Sequence, residues 1–258
     1  MIKVLVTGAS GQLGKAIRAL AGEYPEVSFH FAERKDLDIT EKESVNALFS
    51  NNHFDYCINC AAYTDVEQAE KTPQIAFEVN ERGVANLAEA CKANNVVLIH
   101  ISTDYVFDGR KQKGYLPSDI PNPINQYGRS KWEGEKRIQD ILSEYFIIRT
   151  SWLYSQRGRN FYTNIKKRAA LGGTISVTNQ EYGCPTHADH LAKYIMDLVD
   201  GEKKSFGIYH YTDGEAMTWY EFAKKILLEN RMSDSVRLLA TKSYPSVAKR
   251  PAYSILIS

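Results

Sequence analysis

Apolar positions along the first hundred residues fall into two alternating patterns. IKVLVT, VSFHFA, FDYCINCAA and VVLIHIST are short, β-branched and apolar almost throughout; GQLGKAIRALAGEY, TEKESVNALFSNN and the stretch from about Thr72 to Asn94 repeat their apolar residues at helical spacing. Strands apolar on both faces need cover on both sides, and the intervening helices supply it. The alternation therefore predicts an α/β fold, a Rossmann-like doubly wound parallel sheet. Thr40, with Glu43 three residues on, has the capping-box pattern and predicts the start of the second helix.

Past residue 102 the pattern loosens through DYVFDGRKQKGYLPSDIPNPINQ, rich in Gly, Pro and Asp. A loop this long inside an α/β domain points to function. A helix containing NQYGRSKWEGEKRIQDIL and a fifth strand, EYFIIRTS, follow. Beyond Trp152 the segments shorten, separated by turns at RGRN, LGGT, YGCPT, GEKKSFG and YTDGEA, with helices predicted at 187–200 and 218–230. The chain thus divides into a larger domain over 1–151 and a smaller lobe over 152–258. With no low-complexity tract or flexible linker between them, the two are expected to be tightly fused.

Composition excludes some partners. At 258 residues, 43% hydrophobic, 24% charged and a formal net charge of +1, nothing draws this chain to nucleic acid or to a membrane surface. No run approaches the roughly 20 apolar residues of a membrane-spanning helix. MIKVLVTG enters a strand without the layout of a signal peptide, so a cytoplasmic protein is expected. Cys57 and Cys60 form C-x-x-C inside a strand-like run, where residues three apart face opposite ways; buried small side chains are expected, not a redox pair. His187 and His190 flank Asp189, but no third ligand follows at a plausible spacing, and no metal site is predicted.

Two motifs carry chemistry. VTGASGQLG places Gly8, Gly11 and Gly14 between the first strand and the first helix. The first allows a tight turn, the second lets backbone N–H groups approach a pyrophosphate, and the third lets helix and strand pack closely. The helix N-terminus adds unpaired N–H donors and a positive dipole end, so a dinucleotide is expected here. Farther on, Tyr127 and Lys131 stand four apart, on one face of a helix. A phenol near an ammonium is either a surface pair or a proton donor with its tuning charge, the cation favouring phenolate and lowering the pKa. Thr103, at the end of the fourth strand, offers a hydroxyl to a carbonyl oxygen that gains charge.

The G-x-x-G-x-x-G spacing, the N-A-A type segment NCAAYTDV, STDYVFDG and Tyr-x-x-x-Lys together resemble the short-chain dehydrogenase/reductase superfamily. NCAAYTDVEQAE (59–70), STDYVFDG (102–109), PNPINQYGRSKWEGE (121–135), RTSWLYSQRGRNF (149–161), YGCPTHADHLA (182–192) and VAKRPAYSIL (247–256) resemble one family of its extended branch, the dTDP-4-dehydrorhamnose reductases. The resemblance implies an NAD(P)-binding Rossmann domain followed by a mainly substrate-binding lobe. It also implies reduction of the 4-keto group of dTDP-4-dehydro-6-deoxy-L-mannose to dTDP-L-rhamnose, a cell-surface polysaccharide precursor. Tyr127 becomes the proton donor, Lys131 its tuning and ribose-binding partner, and Thr103 the hydroxyl that orients the carbonyl. Gly8, Gly11, Gln12, Leu13 and Gly14 fall in the pyrophosphate loop, Asp38 and Ile39 in the adenine pocket. Ala61, Ala62, Tyr63 and Thr64 lie beside the nicotinamide ribose, and Thr64, Val66, Asp104, Tyr105 and Trp152 on the substrate side.

Relatives that eliminate water carry Asp-Glu after the threonine; here Asp104 precedes Tyr105, which favours simple reduction. Glu33 suits a ribose 2′-hydroxyl, whereas Arg34 and Lys35 suit a 2′-phosphate, so NADPH is the expected cofactor with NADH the alternative. Arg250 in AKRP is expected to meet the substrate's phosphates. Mg2+ and a homodimer are left open, and family members usually continue past RPAYSILIS into a further helix. Two other readings share these residues: a reductase of another nucleotide 4-keto sugar, and a non-catalytic dinucleotide-binding subunit like the regulatory subunit of methionine adenosyltransferase.

Overall fold

In the computed structural model, which describes residues 1–201, 205–242 and 245–257, the first half runs from β1 (Ile2–Thr7) to β5 (Tyr145–Thr150). Between them come α1 (Gln12–Leu20), β2 (Val27–Ala32), α2 (Lys42–Asn51), β3 (Tyr56–Asn59), α3 (Val66–Lys71), α4 (Pro73–Phe77), α5 (Val84–Asn94), β4 (Val97–Thr103) and α6 (Gln126–Ile141). A π-helical turn, Glu78–Gly83, joins α4 to α5. The remainder comprises β6 (Leu153–Tyr154), α7 (Phe161–Ala170), β7 (Thr174–Thr178), β8 (Tyr182–Gly183), β9 (Thr186–His187), α8 (Ala188–Asp200), β10 (Gly207–His210), β11 (Met217–Thr218), α9 (Trp219–Glu229) and β12 (Arg237–Thr241). Part of the predicted GEKKSFG turn, Glu202–Lys204, lies outside the described residues.

Six parallel strands form the main sheet in the order β2-β1-β3-β4-β5-β10. The chain steps outward from β1 to β2 and then returns to β1's other side with β3. The crevice beyond the carboxyl ends of β1 and β3 is therefore the topological switch point, where open α/β sheets bind ligands. Alternation along the strands fills two cores. Leu5, Cys57, Leu98 and Ile147 face Val45, Phe49, Leu87 and Ile138 of α2, α5 and α6. Their neighbours Val4, Tyr56, Ile58, Ile99 and Ile148 face Leu13 and Ile17 of α1 and Leu191 and Ile195 of α8. Cys57 lies in the first core and Cys60 packs against the second, the opposed placement expected for a spacing of three.

The second helix begins differently from its sequence signal. Its N-cap is Glu41, with no side-chain cap, because Thr40 is engaged by Asp38, whose Oδ1 accepts from the Thr40 N–H at 3.1 Å and from its hydroxyl at 2.8 Å. The expected helix over 72–94 starts at Pro73 and is preceded by a separate α3, with Asp65 capping Gln68 N–H.

The later segments do two jobs. α8 covers α1's face of the sheet and β10 pairs with β5, so both complete the sheet built by residues 1–151. The small lobe proper packs α7 and α9 on the parallel pair β7 and β12, around Ile165, Ile175, Phe222 and Ile226.

Candidate active site

The glycine turn sits at the switch point, and two of its glycines are required by crowding. Gly8 has φ +61°, and a β-carbon there would lie 2.6 Å from Ala61 N; on Gly14 it would lie 2.6 Å from Ala9 Cα. On Gly11 it would meet only the Gly8 carbonyl oxygen, at 3.2 Å, so the other side of this turn is open. α1 has no side-chain cap and no acid in its first turn, leaving the N–H groups at Gln12 and Leu13 available to an anion. This cradle fits a dinucleotide pyrophosphate. Gln12 Oε1 accepts from Ser155 Oγ at 3.1 Å and Asn160 Nδ2 at 2.7 Å, tying a small-lobe loop to the turn.

The flanking segments are fixed by buried asparagines absent from the sequence expectations. Asn80, in the π-helical turn, accepts from Tyr63 N–H and donates to Tyr63 O, both at 2.9 Å. It also donates to Ser130 Oγ, so it clamps Ala61–Thr64 to α6. Asn86 donates to Ile39 O at 3.0 Å, and Ile39 packs where a side chain on Gly83 would intrude. Burial alone would raise the Asp38 pKa; the bonds from Thr40 and Arg34 outweigh it and hold the carboxyl below its ordinary value. Arg34 and Lys35 are 82% and 77% exposed, leaning on Asp38 and Glu33 respectively.

NQYGRSK folds as a device for placing one phenol. Asn125 caps α6 by accepting from Gly128 N–H at 2.8 Å, while its Nδ2 donates to Lys249 O at 2.8 Å, anchoring the AKRP segment. Gly128 lets α6 touch the backbone of Tyr105, which brings the Tyr105 and Tyr127 rings edge to face at 5.9 Å. Ser130 donates to Tyr127 O at 2.8 Å. Lys131 is buried, donating from Nζ to Ile101 O at 2.6 Å and lying 3.1 Å from His100 Nε2.

The electrostatics correct one expectation. Burial pushes Tyr127 up to about 12, opposed by the neighbouring Thr103 hydroxyl and reinforced by the charge of Asp104. Lys131 directs its Nζ to the Ile101 carbonyl and His100. Burial also lowers Lys131 itself to about 8, against the pull of Glu135 and Cys60. Asp104 is pushed up to about 7 by burial, against bonds from Ser254 and Thr103. Thr103 Oγ1 donates to Asp104 Oδ1 at 3.0 Å and accepts from Tyr105 N–H at 3.1 Å. Thr103, Asp104, Tyr105 and Tyr127 thus meet at the carboxyl end of β4, near the mouth of the cofactor crevice.

Val66 opens α3 on the same side, and Thr64 is exposed just before it. Arg250 reaches in from the chain's last segment: its Nη1 donates to Tyr105 Oη at 3.3 Å and its Nη2 to Glu67 at 3.1 Å. Trp152, at φ +48°, stacks on Trp219 at 3.5 Å, and a β-carbon on Gly183 would strike its ring. It is half-buried against the small-lobe core, and its packing is with that lobe and not with Thr103 or Tyr127. His187 caps α8 by accepting from Asp189 N–H, and His190 pairs with Asp213, so this cluster serves helix and loop structure. Among the described residues no three His, Cys, Asp or Glu side chains are grouped to hold a metal.

A Rossmann-like sheet with a glycine turn at its switch point, and Tyr-x-x-x-Lys beside a strand-end threonine, are the parts of an NAD(P)H-dependent oxidoreductase. The chain belongs to the family described as RmlD substrate binding domain, whose model matches residues 2–258. It is 38% identical to the dTDP-4-dehydrorhamnose reductase of Aggregatibacter actinomycetemcomitans, over 99% of this chain and 90% of that one. It is 36% identical to the dTDP-4-keto-6-deoxy-D-glucose reductase of Streptomyces niveus, over 98% of this chain and 87% of that one. The crystal structure of the Bacillus anthracis dTDP-4-dehydrorhamnose reductase in complex with NADP superimposes with a TM-score of 0.94, at 37% identity, over 100% of this chain and 91% of that one.

Proposed function

We propose that this protein reduces the 4-keto group of dTDP-4-dehydro-6-deoxy-L-mannose to dTDP-L-rhamnose, with NADPH as hydride source, in the cytoplasm. The observation that carries the reading is the meeting of the Tyr127 phenol with the Thr103 hydroxyl at the end of β4, beside the dinucleotide crevice. The relatives' names supply the sugar, and the NADP in the Bacillus anthracis structure supplies the cofactor.

The bound nicotinamide cofactor supplies a hydride to C4; every other requirement falls on side chains. The C4 oxygen gains charge and must receive a proton. Thr103 donates a hydrogen bond to that oxygen, and Tyr127 transfers its proton there. A phenol kept near 12 is fully protonated at neutral pH, so the donor is loaded before reaction. Gly8, Gly11, Gln12, Leu13 and Gly14 would hold the pyrophosphate, Asp38 and Ile39 would bound the adenine end, and Arg34 and Lys35 would meet a 2′-phosphate. Ala61, Ala62, Tyr63 and Thr64 wall the nicotinamide end. Val66, Asp104, Tyr105 and Trp152 surround the sugar, and Arg250, already fixed by Glu67, faces its diphosphate.

The test is NADPH oxidation with dTDP-6-deoxy-L-lyxo-4-hexulose, parent against Tyr127→Phe. Turnover by the parent, and a loss of about 10²- to 10⁴-fold in the variant with cofactor affinity retained, is the expected result. A parent that binds NADPH and never oxidises it with this sugar would overturn the reading; oxidation only with the D-glucose-derived 4-keto sugar would move the chain to the chemistry named for its Streptomyces relative.

A further inference from the structure

Two carboxylates of α3 hold the segments that carry Arg250 and Tyr127. Glu67 and Glu70 stand three apart, on one face of this short helix. Glu70 Oε2 accepts from Gln126 N–H at 3.0 Å, fixing the first residue of α6. Glu67 collects the strap that runs from Ser246 to Arg250: its Oε1 accepts from Ser246 Oγ and from Arg250 Nη2 at 3.1 Å, and its Oε2 from Val247 N–H at 2.9 Å. Asn125 joins the two segments directly, with Nδ2 on Lys249 O and Oδ1 on Gly128 N–H. The strap and the Tyr127 helix are therefore registered to one another before any ligand arrives.

The bonding at Glu67 is not that of an ion pair made for its own sake. A carboxylate and a guanidinium that answer only each other's charge meet fork to fork, through two parallel bonds. Glu67 turns one oxygen to the Val247 backbone and gives Arg250 the other, so the guanidinium is held by one Nη and leans its second on Tyr105 Oη at 3.3 Å. Arg250 Nε lies buried with no acceptor among the described residues. Glu181, the other carboxylate whose charge reaches Arg250, is turned to Trp219 Nε1 at 3.0 Å. A guanidinium with this much unused donor capacity is prepared for a further acceptor. Burial alone would raise the Glu67 pKa; the bonds from Ser246, Val247 and Arg250 outweigh it and hold the carboxyl at about 2, so Glu67 is ionised throughout the neutral range.

We propose that Glu67 is a positioning residue for nucleotide recognition: it pins the Ser246–Arg250 strap to α3 and aims Arg250 so that the donors it leaves free take the substrate's diphosphate. The proposal rests on the reductase reading above, in which Arg250 faces that diphosphate. Charge alone works the other way, because a carboxylate beside the guanidinium repels an incoming anion. Glu67 favours binding only where the geometry it imposes outweighs that repulsion. An Arg250 freed from Glu67 regains rotamer freedom, which the diphosphate must then remove as it binds. The sign of one substitution therefore separates positioning from neutralisation.

Calorimetric binding of dTDP is the direct readout, since it needs no turnover. Glu67→Gln keeps the side chain's size and an acceptor for the Val247 N–H but removes the charge opposite Arg250. Binding of dTDP is expected to weaken by about ten-fold, with the loss in kcat/KM for the nucleotide sugar carried mainly by KM and with NADPH affinity kept as the check on folding. Unchanged or tighter dTDP binding would overturn the proposal. In an Arg250→Ala background the same substitution should change dTDP affinity by less than about two-fold; a loss as large as in the parent would show that Glu67 acts by another route. An Arg250→Ala variant that binds dTDP as tightly as the parent would remove the basis of the proposal. Should Glu67→Gln lose NADPH as well, Ser246→Ala decides: it takes one exposed anchor from the strap and no charge, and is expected to weaken dTDP about two- to three-fold, no effect counting against the proposal. A parent that shows these effects on dTDP and yet reduces no 4-keto sugar leaves the role of Glu67 standing and fails the reductase reading alone.

Discussion

The carbonyl oxygen of Tyr105 lies 2.0 Å from the point a β-carbon on Gly128 would occupy. Backbone meets backbone there, between the strand-end segment that carries Thr103 and the helix that carries Tyr127. Even one methyl group must force the two apart. Gly128→Ala is expected to lower the melting temperature by several degrees and kcat by about 10²-fold, since a shift near 1 Å at reacting groups has that effect. Circular dichroism melts beside initial rates check it; an unchanged kcat would mean this contact does not set the Tyr127 position.

Asp104 should make stability depend on pH in an unusual sense. Its folded pKa, about 7, lies above the ordinary 3.8, so the folded state holds the proton more tightly. That contribution is complete below about pH 4, declines as pH rises to 7, and is gone above it. Asp104→Asn has no such loss. The difference in unfolding free energy, variant minus parent, should therefore grow between pH 4 and 7 and then level, with a span on the order of 2–4 kcal/mol. A difference that stays flat across this window would refute the raised pKa.

Glu135 and Arg149 form a buried ion pair, 1% and 2% exposed, with Arg149 Nη2 donating to Glu135 at 2.7 Å and Ser102 donating to the same carboxylate at 2.5 Å. Glu135→Gln strands the guanidinium under the sheet and should cost about 3–5 kcal/mol in urea unfolding. Replacing both residues by methionine should recover much of that loss. A single variant as stable as the parent would show that water reaches the pair.

Arg34 and Lys35 make no contact that the fold needs, as their exposure shows. Replacing both with alanine should leave the melting temperature within about 1 °C and raise KM for NADPH about ten-fold or more, with KM for NADH little changed. Parallel steady-state kinetics with the two cofactors decides it; equal effects on both would remove the 2′-phosphate role.

The parallel sheet was legible because its strands are apolar on both faces, and the glycine turn because crowding at Gly8 and Gly14 forbids anything larger. Tyr127, Lys131 and Thr103 were legible as residue types in order along the chain. What was hidden is where the second hydrogen bond of each group goes. Tyr-x-x-x-Lys suggests a phenol beside an ammonium, yet Lys131 turns to Ile101 and His100, whose sequence neighbourhood is an ordinary apolar strand. Asn80 and Asn59 looked like polar interruptions, and only the folded chain shows them clamping Tyr63 and His100. Thr40 failed as a cap because Asp38, two residues earlier, competes for its N–H and hydroxyl. β10 is four residues long and stands alone in sequence, so no periodicity announced that it would join β5.

The return of α8 and β10 to the first sheet decides how this architecture can be recombined. A chimera that joins the first 151 residues of one relative to the rest of another would set foreign Leu191, Ile195 and Val199 equivalents against the native Leu13 and Ile17, two surfaces never selected together. Exchanging the small lobe intact requires three breakpoints, one on each side of β6 to β9 and one after β10, so that the helix and strand between them stay with the half they cover. The two halves of the fold are thus interleaved along the chain although they are separate in space.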